Sequence, residues 1–461
     1  MSRLVKHIHI PNDFMNFDQT AGRLEEQVQR QGLVFIETLE GIFGHVYESG
    51  GKIKAFTDWI GQYPLYFLII RDRSGGLQKV VFANHINAFL SYPDYAYANV
   101  YRVPPSHMVV IDSETGLIDY QRYYRLPHYT EDEARAKVGR DLKEIGANYR
   151  RILYEEVEKR LPPKGTKIGV ALGGIDSLQV LKVLVDLKPN DLIVYNIKGE
   201  DTPRNRKVAQ AFNFQLKEVC VPRDQLLKDD HKLINDILDH IEDFDPLDVY
   251  SGFACFLMYE QMKKDRIGLV ATGNGGNAWS GMYLRNRWFQ IDEDDLIEIP
   301  VRRRLVLGYP PASGFYHQQL GNSLSKGLSV YDLKLVYKFG LPRILDPCVN
   351  RRFMVFALNI PSEYFRFTKT DIESTFSGLV KDTILTHLEH FPTSKDGRHI
   401  LARFPVHYCA FKSDIPEELF PVVGKRFYDQ VGVSALLDSL GGENFVLDKF
   451  NAKFMADETT R

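Results

Sequence analysis

A short run in the middle of the chain carries the residue types of an anion-binding site. Residues 168–177 read IGVALGGIDS, an apolar stretch followed by two glycines, Asp176 and Ser177. The pattern predicts a strand, a glycine turn and a helix over residues 178–187. Glycines let the backbone approach a ligand, and the unpaired N–H groups and dipole of a helix N-terminus favour phosphate. We expect Asp176 to hold a metal ion and Ser177 a phosphate oxygen, which indicates ATP chemistry.

A second glycine-rich segment, residues 271–283, reads ATGNGGNAWSGMY. We predict a strand that ends at Thr272 and opens into this loop, which in a parallel sheet could lie close to the first loop. A flexible surface loop is the alternative interpretation. Two such loops at strand ends of one sheet favour a binding site, because ligands bind at the carboxyl ends of parallel strands.

A third segment, residues 340–347, reads GLPRILDP and precedes a predicted helix over residues 350–358. Its simpler interpretation is a buried helix entry that Asp346 caps.

The elements that must position these segments follow an alternating pattern from Lys167 onward. Predicted strands cover residues 168–172, 192–197, 216–221 and 267–272, and predicted helices cover residues 178–187, 205–212, 231–242 and 250–264. Such alternation predicts a parallel sheet with helices on both faces. Beyond about residue 285 the pattern is mainly helical.

The N-terminal part has a different pattern, with short β-like runs between turn residues. These runs include residues 33–36, 66–70, 79–82 and 108–111. They predict a mostly antiparallel domain with a helix over residues 21–31 against it. A linker over residues 126–130 then precedes a long helix, in which Thr130 is the N-cap and Glu133 its capping-box partner. We place the domain limits at 1–125 and 130–461.

Bulk composition excludes several classes of protein. The chain has 461 residues and a formal net charge of −2, so there is no global basic signature for nucleic acid. Its four widely spaced cysteines argue against a zinc site or a disulfide scaffold and fit a reducing cytoplasm. No apolar run reaches the roughly 18 residues of a membrane span. We expect a soluble cytoplasmic protein.

Taken in order, these motifs resemble the asparagine synthetase-like family of ATP-dependent amide-forming ligases, which includes β-lactam synthetases, carbapenam synthetase and lasso-peptide cyclases. Further similarity lies outside the two loops. Residues 57–66 (TDWIGQYPLY) resemble the RDRxGxxPLYY hairpin, 82–90 (FANHINAFL) the FASExKALL segment, 101–107 (YRVPPSH) the xRxLPPGH segment, 245–251 the DxP…S helix, and Asp346 the Asp of RxPFLD.

The resemblance implies a fold, cofactors and site residues. The fold is α/β, with an N-terminal Ntn-hydrolase-like α+β domain before a doubly wound parallel-sheet ATP-pyrophosphatase (adenine nucleotide α-hydrolase-like) domain that has a helical C-terminal part. The cofactors are ATP and Mg²⁺. The implied nucleotide-binding residues are Ala171, Leu172, Gly173, Gly174, Asp176, Ser177, Ile197, Gly273 and Gly275. The implied metal ligands are Asp176 and Asn277, and the implied catalytic residue is Lys395.

The chain departs from the family pattern in both loops. The first loop of the family is SGGxDS, and here Leu172 replaces the leading serine. The second is GEGADE, and here Asn277 stands at the metal-binding aspartate while both acidic neighbours are missing. A neutral amide binds Mg²⁺ more weakly than a carboxylate. Lys395, in a sequence that resembles the family's KxG, has the alternative interpretation of a solvated loop lysine.

Glutamine-using members of the family begin with a nucleophilic cysteine, whereas no cysteine precedes Cys220 here. Ser2 would be an N-terminal nucleophile if Met1 is removed, but the residues after it do not resemble the family's start. We therefore expect the N-terminal domain to be an inactive glutaminase-like remnant. Glutamine then supplies no ammonia.

Three functions remain open. The leading hypothesis is an AMP-forming ligase that joins a small-molecule or peptide carboxylate to an amine, as in β-lactam synthetases, peptide cyclases or ammonia-dependent asparagine synthetases. The second is a catalytically degenerate binding or assembly scaffold, and the third is a glutamine-dependent asparagine synthetase. We expect neither nucleic acid nor membrane as a partner and leave a homodimer open.

Overall fold

The structure is a computed structural model of the chain. It describes residues 3–14, 24–92, 99–125, 129–228, 231–242, 246–275, 334–361, 366–376, 400–401, 404–420 and 433–450, with a few single residues between these ranges. The strands are β1 (Leu4–His7), β2 (Asp13–Phe14), β3 (Gly41–Ile42), β4 (Gly44–Ser49), β5 (Lys52–Thr57), β6 (Tyr66–Arg71), β7 (Leu77–Ala83), β8 (Val100–Arg102), β9 (His107–Asp112), β10 (Ile118–Arg122), β11 (Ile168–Ala171), β12 (Leu192–Ile197), β13 (Gln215–Val219), β14 (Leu269–Ala271), β15 (Ile344–Leu345), β16 (Arg366–Phe367) and β17 (Ile400–Leu401). The α-helices are α1 (Leu24–Gln31), α2 (Leu33–Thr38), α3 (Glu131–Lys137), α4 (Leu142–Glu158), α5 (Ile175–Leu187), α6 (Thr202–Phe212), α7 (Arg223–Leu226), α8 (Lys232–Ile241), α9 (Pro246–Lys264), α10 (Arg351–Leu358), α11 (Lys369–Thr375), α12 (Phe404–Phe411), α13 (Val433–Asp438) and α14 (Gly442–Phe450).

A five-stranded sheet organises the C-terminal part of the chain. Its strand order is β13-β12-β11-β14-β15, and every neighbouring pair is parallel. The chain builds outward from β11 in one direction and then returns to add β14 on the opposite side. The topological switch point therefore lies between β11 and β14, where open α/β sheets bind their ligands. The predicted parallel sheet is confirmed.

Helices cover both faces of this sheet. Ile168 and Val170 of β11 lie in one buried core, to which α4, α5, α10 and α12 contribute. Tyr195 and Ile197 of β12 lie in a second core with residues of α8 and α9. Strands buried on both sides read as near-continuous apolar runs, as residues 192–195 (LIVY) do here. This arrangement confirms the doubly wound α/β fold class.

The N-terminal part contains two four-stranded sheets, with the orders β1-β7-β6-β8 and β10-β9-β5-β4. The pairs are antiparallel except for β1 with β7. Buried residues of both sheets belong to one apolar cluster, including Ile53 from one and Phe67 from the other. An N-terminal sheet domain is thus confirmed, while the limits 1–125 and 130–461 stay a prediction.

Two local expectations were wrong. Residues 33–36, read as a strand, form the start of α2, because periodicity does not separate strand from helix in a short apolar run. The long helix after Thr130 is two helices, since Gly139 has a φ of 143° and Asp141 starts α4 as a second N-cap. The capping box of Thr130 and Glu133 is present as predicted. Among the described helices, none is long and apolar enough to cross a membrane.

Candidate functional site

The first glycine loop joins β11 to α5. The backbone N–H of Leu172 donates to the carbonyl of Tyr195 at 2.9 Å, which extends the sheet by one residue. The Leu172 side chain is buried in the apolar core. The position where the family has a serine is therefore a core position here, and its side chain offers no polar atom to a ligand.

The start of α5 has the geometry of an anion site. Gly174 is the N-cap and is exposed, and as a glycine it places no side chain over the first turn. The N–H groups of that turn have no acceptor within the helix. The Ser177 hydroxyl accepts from the Gly173 N–H and donates to the Gly174 carbonyl, both at 2.9 Å. This hydroxyl closes the loop, and its one proton is used there.

The second glycine loop lies against the first. A Cβ placed on Gly273 would be 2.3 Å from the Ser177 nitrogen and 2.8 Å from its Cα, so only glycine fits between the two backbones. Gly275 has a φ of 82°, in the left-handed region that favours glycine. The predicted proximity of the two loops at the carboxyl ends of β11 and β14 is thus observed.

The buried carboxylate of Asp346 holds the start of the second loop through Thr272. Asp346 accepts from the Thr272 hydroxyl and, at 2.9 Å, from the Gln62 amide of the N-terminal part. The Thr272 oxygen in turn accepts from the Asn274 N–H at 3.1 Å. Burial raises the pKa of Asp346 to about 6, against the opposing effects of Thr272, the Arg160 charge and Gln62. The Asp346 side chain does not cap α10, whose N-cap is Asn350.

Asp176, in the first turn of α5, contacts a histidine from the far end of the chain. Its Oδ1 lies 3.4 Å from Nε2 of His407 on α12. His407 is fully buried, and Asp176 is 8 % exposed. The carboxylate therefore stands beside the loops with one oxygen turned toward an imidazole.

Arg204 brings a positive charge to the same edge of the sheet. It lies in the first turn of α6, and its Nη2 donates to the Gly173 carbonyl at 2.6 Å. Its Nη1 lies 3.6 Å from the Asp201 carboxylate. Burial lowers the pKa of this guanidinium, and Asp201 opposes that effect. Arg204 fixes the carbonyl of the first loop and keeps a cation next to the anion site.

The structure brings most of the predicted site residues together. Asp176 and Ser177 lie in the first turn of α5. At the ends of the adjacent strands β11 and β14, or in the loops that follow them, lie Ala171, Leu172, Gly173, Gly174, Gly273 and Gly275. Ile197 ends β12, the other neighbour of β11, and is buried. Asn277 and Lys395 lie outside the described residues.

The residue types of the site fit a magnesium nucleotide. Within the described ranges, no group of three or more His, Cys, Asp or Glu side chains could hold a metal by itself. Mg²⁺ in phosphate sites needs only one or two carboxylates, because phosphate oxygens and water complete its shell. Asp176 supplies a carboxylate beside the glycine loops, so it would hold the ion together with the phosphates.

Sequence reasoning missed Arg204, His407 and Gln62. Arg204 follows the carboxyl end of β12, so the rule that ligands bind there would have indicated it. His407 lies in none of the quoted motifs. Gln62 lies in the 57–66 segment, but that pattern gave no indication of its contact with Asp346.

Comparison with protein families gives a match over part of the chain. Residues 148–331 match the family model described as asparagine synthase. No curated protein matches the chain. The match begins in α4 and includes β11, the first loop, β14 and the second loop, which are the elements that build the site. Residues 148–331 are therefore similar to the asparagine synthase family, and this match supports an ATP-dependent amide-forming ligase in general.

Proposed function

We propose that this protein is an AMP-forming ligase that activates a carboxylate with ATP and joins it to an amine without hydrolysing glutamine. One observation carries the nucleotide site: two glycine loops meet at the switch point of a parallel sheet, where Gly273 touches the backbone of Asp176 and Ser177. The asparagine synthase match supports the class of reaction.

The reaction has two steps. A carboxylate oxygen attacks the α-phosphorus of ATP, which forms an acyl-adenylate and releases pyrophosphate. An amine then attacks the acyl carbon, the bond to AMP breaks, and the amine loses a proton as the amide forms. Pyrophosphate is the charged leaving group, so groups that stabilise its charge lower the barrier.

The residues of the site have matching roles in this proposal. The N–H groups at the start of α5 bind phosphate oxygens, and the closed Gly173–Ser177 loop keeps them in place. Asp176 would hold Mg²⁺, which would supply positive charge to neutralise the phosphates. Arg204 adds a second positive charge close to the loop. Lys395 stays our candidate for the group that assists the attacking amine.

Independence from glutamine rests on the N-terminal part. Residues 1–219 contain no cysteine, so the thiol nucleophile of glutaminase chemistry is missing from both N-terminal sheets. The amine is then free ammonia, a small amine, or an amine of the acyl substrate itself, in which case a ring closes.

ATP–pyrophosphate exchange with a panel of carboxylates, without glutamine, tests the proposal. We expect exchange with at least one carboxylate, and a large loss in Asp176→Asn because that change removes the charged metal ligand. Asp186→Asn is the matched control, since it removes a carboxylate from the same helix, far from the loops. Its exchange should equal that of the wild type.

Two results would contradict the proposal at different points. Absence of exchange and of nucleotide binding at high Mg²⁺ would remove the ligase function. Ammonia release from glutamine that Ser2→Ala abolishes would instead remove only the glutamine independence.

A non-catalytic scaffold is the second candidate, and Leu172 is the observation that favours it. Its burial means that the phosphate-binding serine of the family has become a core residue. A scaffold predicts no thermal stabilisation by Mg·ATP. A ligase predicts that Mg·ATP at a hundredfold excess over its Kd stabilises the folded state by about 2.7 kcal/mol, which raises Tm by several degrees.

A further inference from the structure

His407 is buried at the candidate site, although no motif includes it. Its Nδ1 lies 2.8 Å from Oε1 of Gln179, and its Nε2 lies 3.4 Å from Oδ1 of Asp176. Gln179 and Asp176 belong to the same helix, α5, so the imidazole bridges two of its residues from α12. The ring also packs edge-on against Tyr149 of α4, with 5.3 Å between centroids.

The hydrogen bonds of Gln179 fix the orientation of this ring. Its Nε2 donates to the backbone carbonyl of His407 at 3.2 Å, so its Oε1 is the atom that faces the imidazole. That oxygen also accepts from the Tyr149 hydroxyl at 2.9 Å. An amide oxygen only accepts, so Nδ1 of His407 is the donor. The pairing of Nε2 with the Asp176 carboxylate therefore requires a second ring proton, which makes His407 an imidazolium.

We propose that His407 is a positioning residue that holds the Asp176 carboxylate in the orientation needed to bind a magnesium–nucleotide complex. The inference rests on the proposed function and adds to it a residue that acts through the metal ligand. Groups that hydrogen-bond to metal ligands restrict their orientation and tune their affinity. His407 can do this because the Gln179 and Tyr149 contacts fix its own ring.

This chain has a particular need for such a residue. The second loop carries Asn277 in place of an aspartate, so Asp176 is the remaining acidic residue of the two family metal positions. Mg²⁺ requires near-ideal octahedral geometry. With a single charged protein ligand, a rotated carboxylate would lose most of the protein's contribution to metal binding.

Two substitutions separate positioning from structural support. The amide nitrogen of asparagine corresponds to Nδ1 of histidine, and that of glutamine corresponds to Nε2. His407→Asn keeps the donor to Gln179 and loses the contact with Asp176. His407→Gln keeps a donor toward Asp176 and loses the contact with Gln179. Both remove the imidazole from the same buried position, so each is the matched control for the other.

The measurement is calorimetric binding of α,β-methylene ATP to the full-length protein across a series of Mg²⁺ concentrations, with thermal unfolding of each variant. Mg²⁺ should strengthen nucleotide binding. We expect His407→Asn to raise the Mg²⁺ concentration that gives half of this strengthening by roughly 10- to 100-fold, the range for residues that orient metal ligands. His407→Gln should stay closer to the wild type. Binding without Mg²⁺ should be equal in all three proteins.

The outcomes are distinguishable. Equal Mg²⁺ dependence in the wild type and His407→Asn, or equal impairment of both variants in proportion to lost stability, overturns the inference and leaves the proposed function standing. Absence of nucleotide binding to the wild type overturns both. If His407→Asn does not fold, Gln179→Met removes the acceptor that holds the ring, and an unchanged Mg²⁺ dependence there overturns the inference.

Discussion

At the scale of single residues, the candidate site depends on a glycine, Gly273, at the contact between the two loops. Gly273 has no Cβ, and this lets the backbone of the second loop touch that of the first at Ser177. The contact joins the ends of two strands that come from distant parts of the sequence. A side chain here would push the loops apart.

Gly273→Ala tests this contact. Its Cβ would lie 2.3 Å from a backbone nitrogen, a neighbour that has no flexible end to move aside. We expect a loss of about 1–3 kcal/mol in the free energy of unfolding, as for overpacking, and weaker nucleotide binding. The control is Gly174→Ala, whose Cβ meets nothing within 4 Å and which should lose less than about 1 kcal/mol, the cost of alanine at an N-cap. Equal urea unfolding curves for the two variants would contradict the description of the contact.

At the scale of elements, buried polar groups hold the strand ends and loops in register. Asp346 follows β15 and connects the second loop, through Thr272, to Gln62 in the N-terminal part. Gln62 is itself held by its backbone N–H, which donates to Asp58 at 2.9 Å. The N-terminal part therefore contributes to the site mechanically, although it has no cysteine for glutaminase chemistry.

The Asp346 carboxyl predicts a specific pH dependence. Its folded-state pKa of about 6 is above the ordinary 3.8 because burial disfavours the charged form. Its contribution to stability is therefore complete below pH 3.8 and is lost as pH rises through 6, by about 3 kcal/mol in all. In Asp346→Asn, the fall in the free energy of unfolding between pH 4 and 7, measured with urea, should be smaller than in the wild type by that amount. The exposed Asp119→Asn should keep the wild-type slope, and the same slope in Asp346→Asn would refute the prediction.

A buried ion pair makes a second connection between elements. Glu242, at the end of α8, pairs with Lys334 at 2.6 Å and accepts from the N–H groups of Ile86 and Asn87. Burial raises the pKa of Glu242, but Lys334 and His85 outweigh this effect and lower it to about 2. The stability that this carboxylate contributes is present above pH 4.5 and is lost as pH falls through 2.

Replacing one partner of this ion pair should destabilise the fold more than replacing both partners. Glu242→Gln leaves the Lys334 cation buried without its counter-charge, so we expect a loss of about 3–5 kcal/mol in the free energy of unfolding. Glu242→Gln with Lys334→Met should lose less than the single variant, because no buried charge remains. Denaturant titrations of both proteins measure the difference. A double variant that is as unstable as Glu242→Gln alone, or less stable, would contradict this prediction.

At the scale of the whole molecule, one parallel sheet lies between two apolar cores, and its switch point carries both glycine loops. Much of this could be predicted, because the strand–glycine–helix order of β11 and α5 is local in sequence. The α2 segment could not, since a four-residue apolar run fits helix and strand equally. Contacts such as Asp176 with His407 and Gln62 with Asp346 join distant segments, so only the folded chain reveals them.

The most direct test of the central claim is a crystal structure of the protein with Mg²⁺ and α,β-methylene ATP. We predict that the phosphates lie between the two glycine loops, with the N–H groups of the first turn of α5 on the phosphate oxygens and Asp176 on the metal. The His407 contact with Asp176 should persist. A nucleotide bound elsewhere, or its absence at saturating concentration while the loops keep their contact at Gly273, would contradict the account.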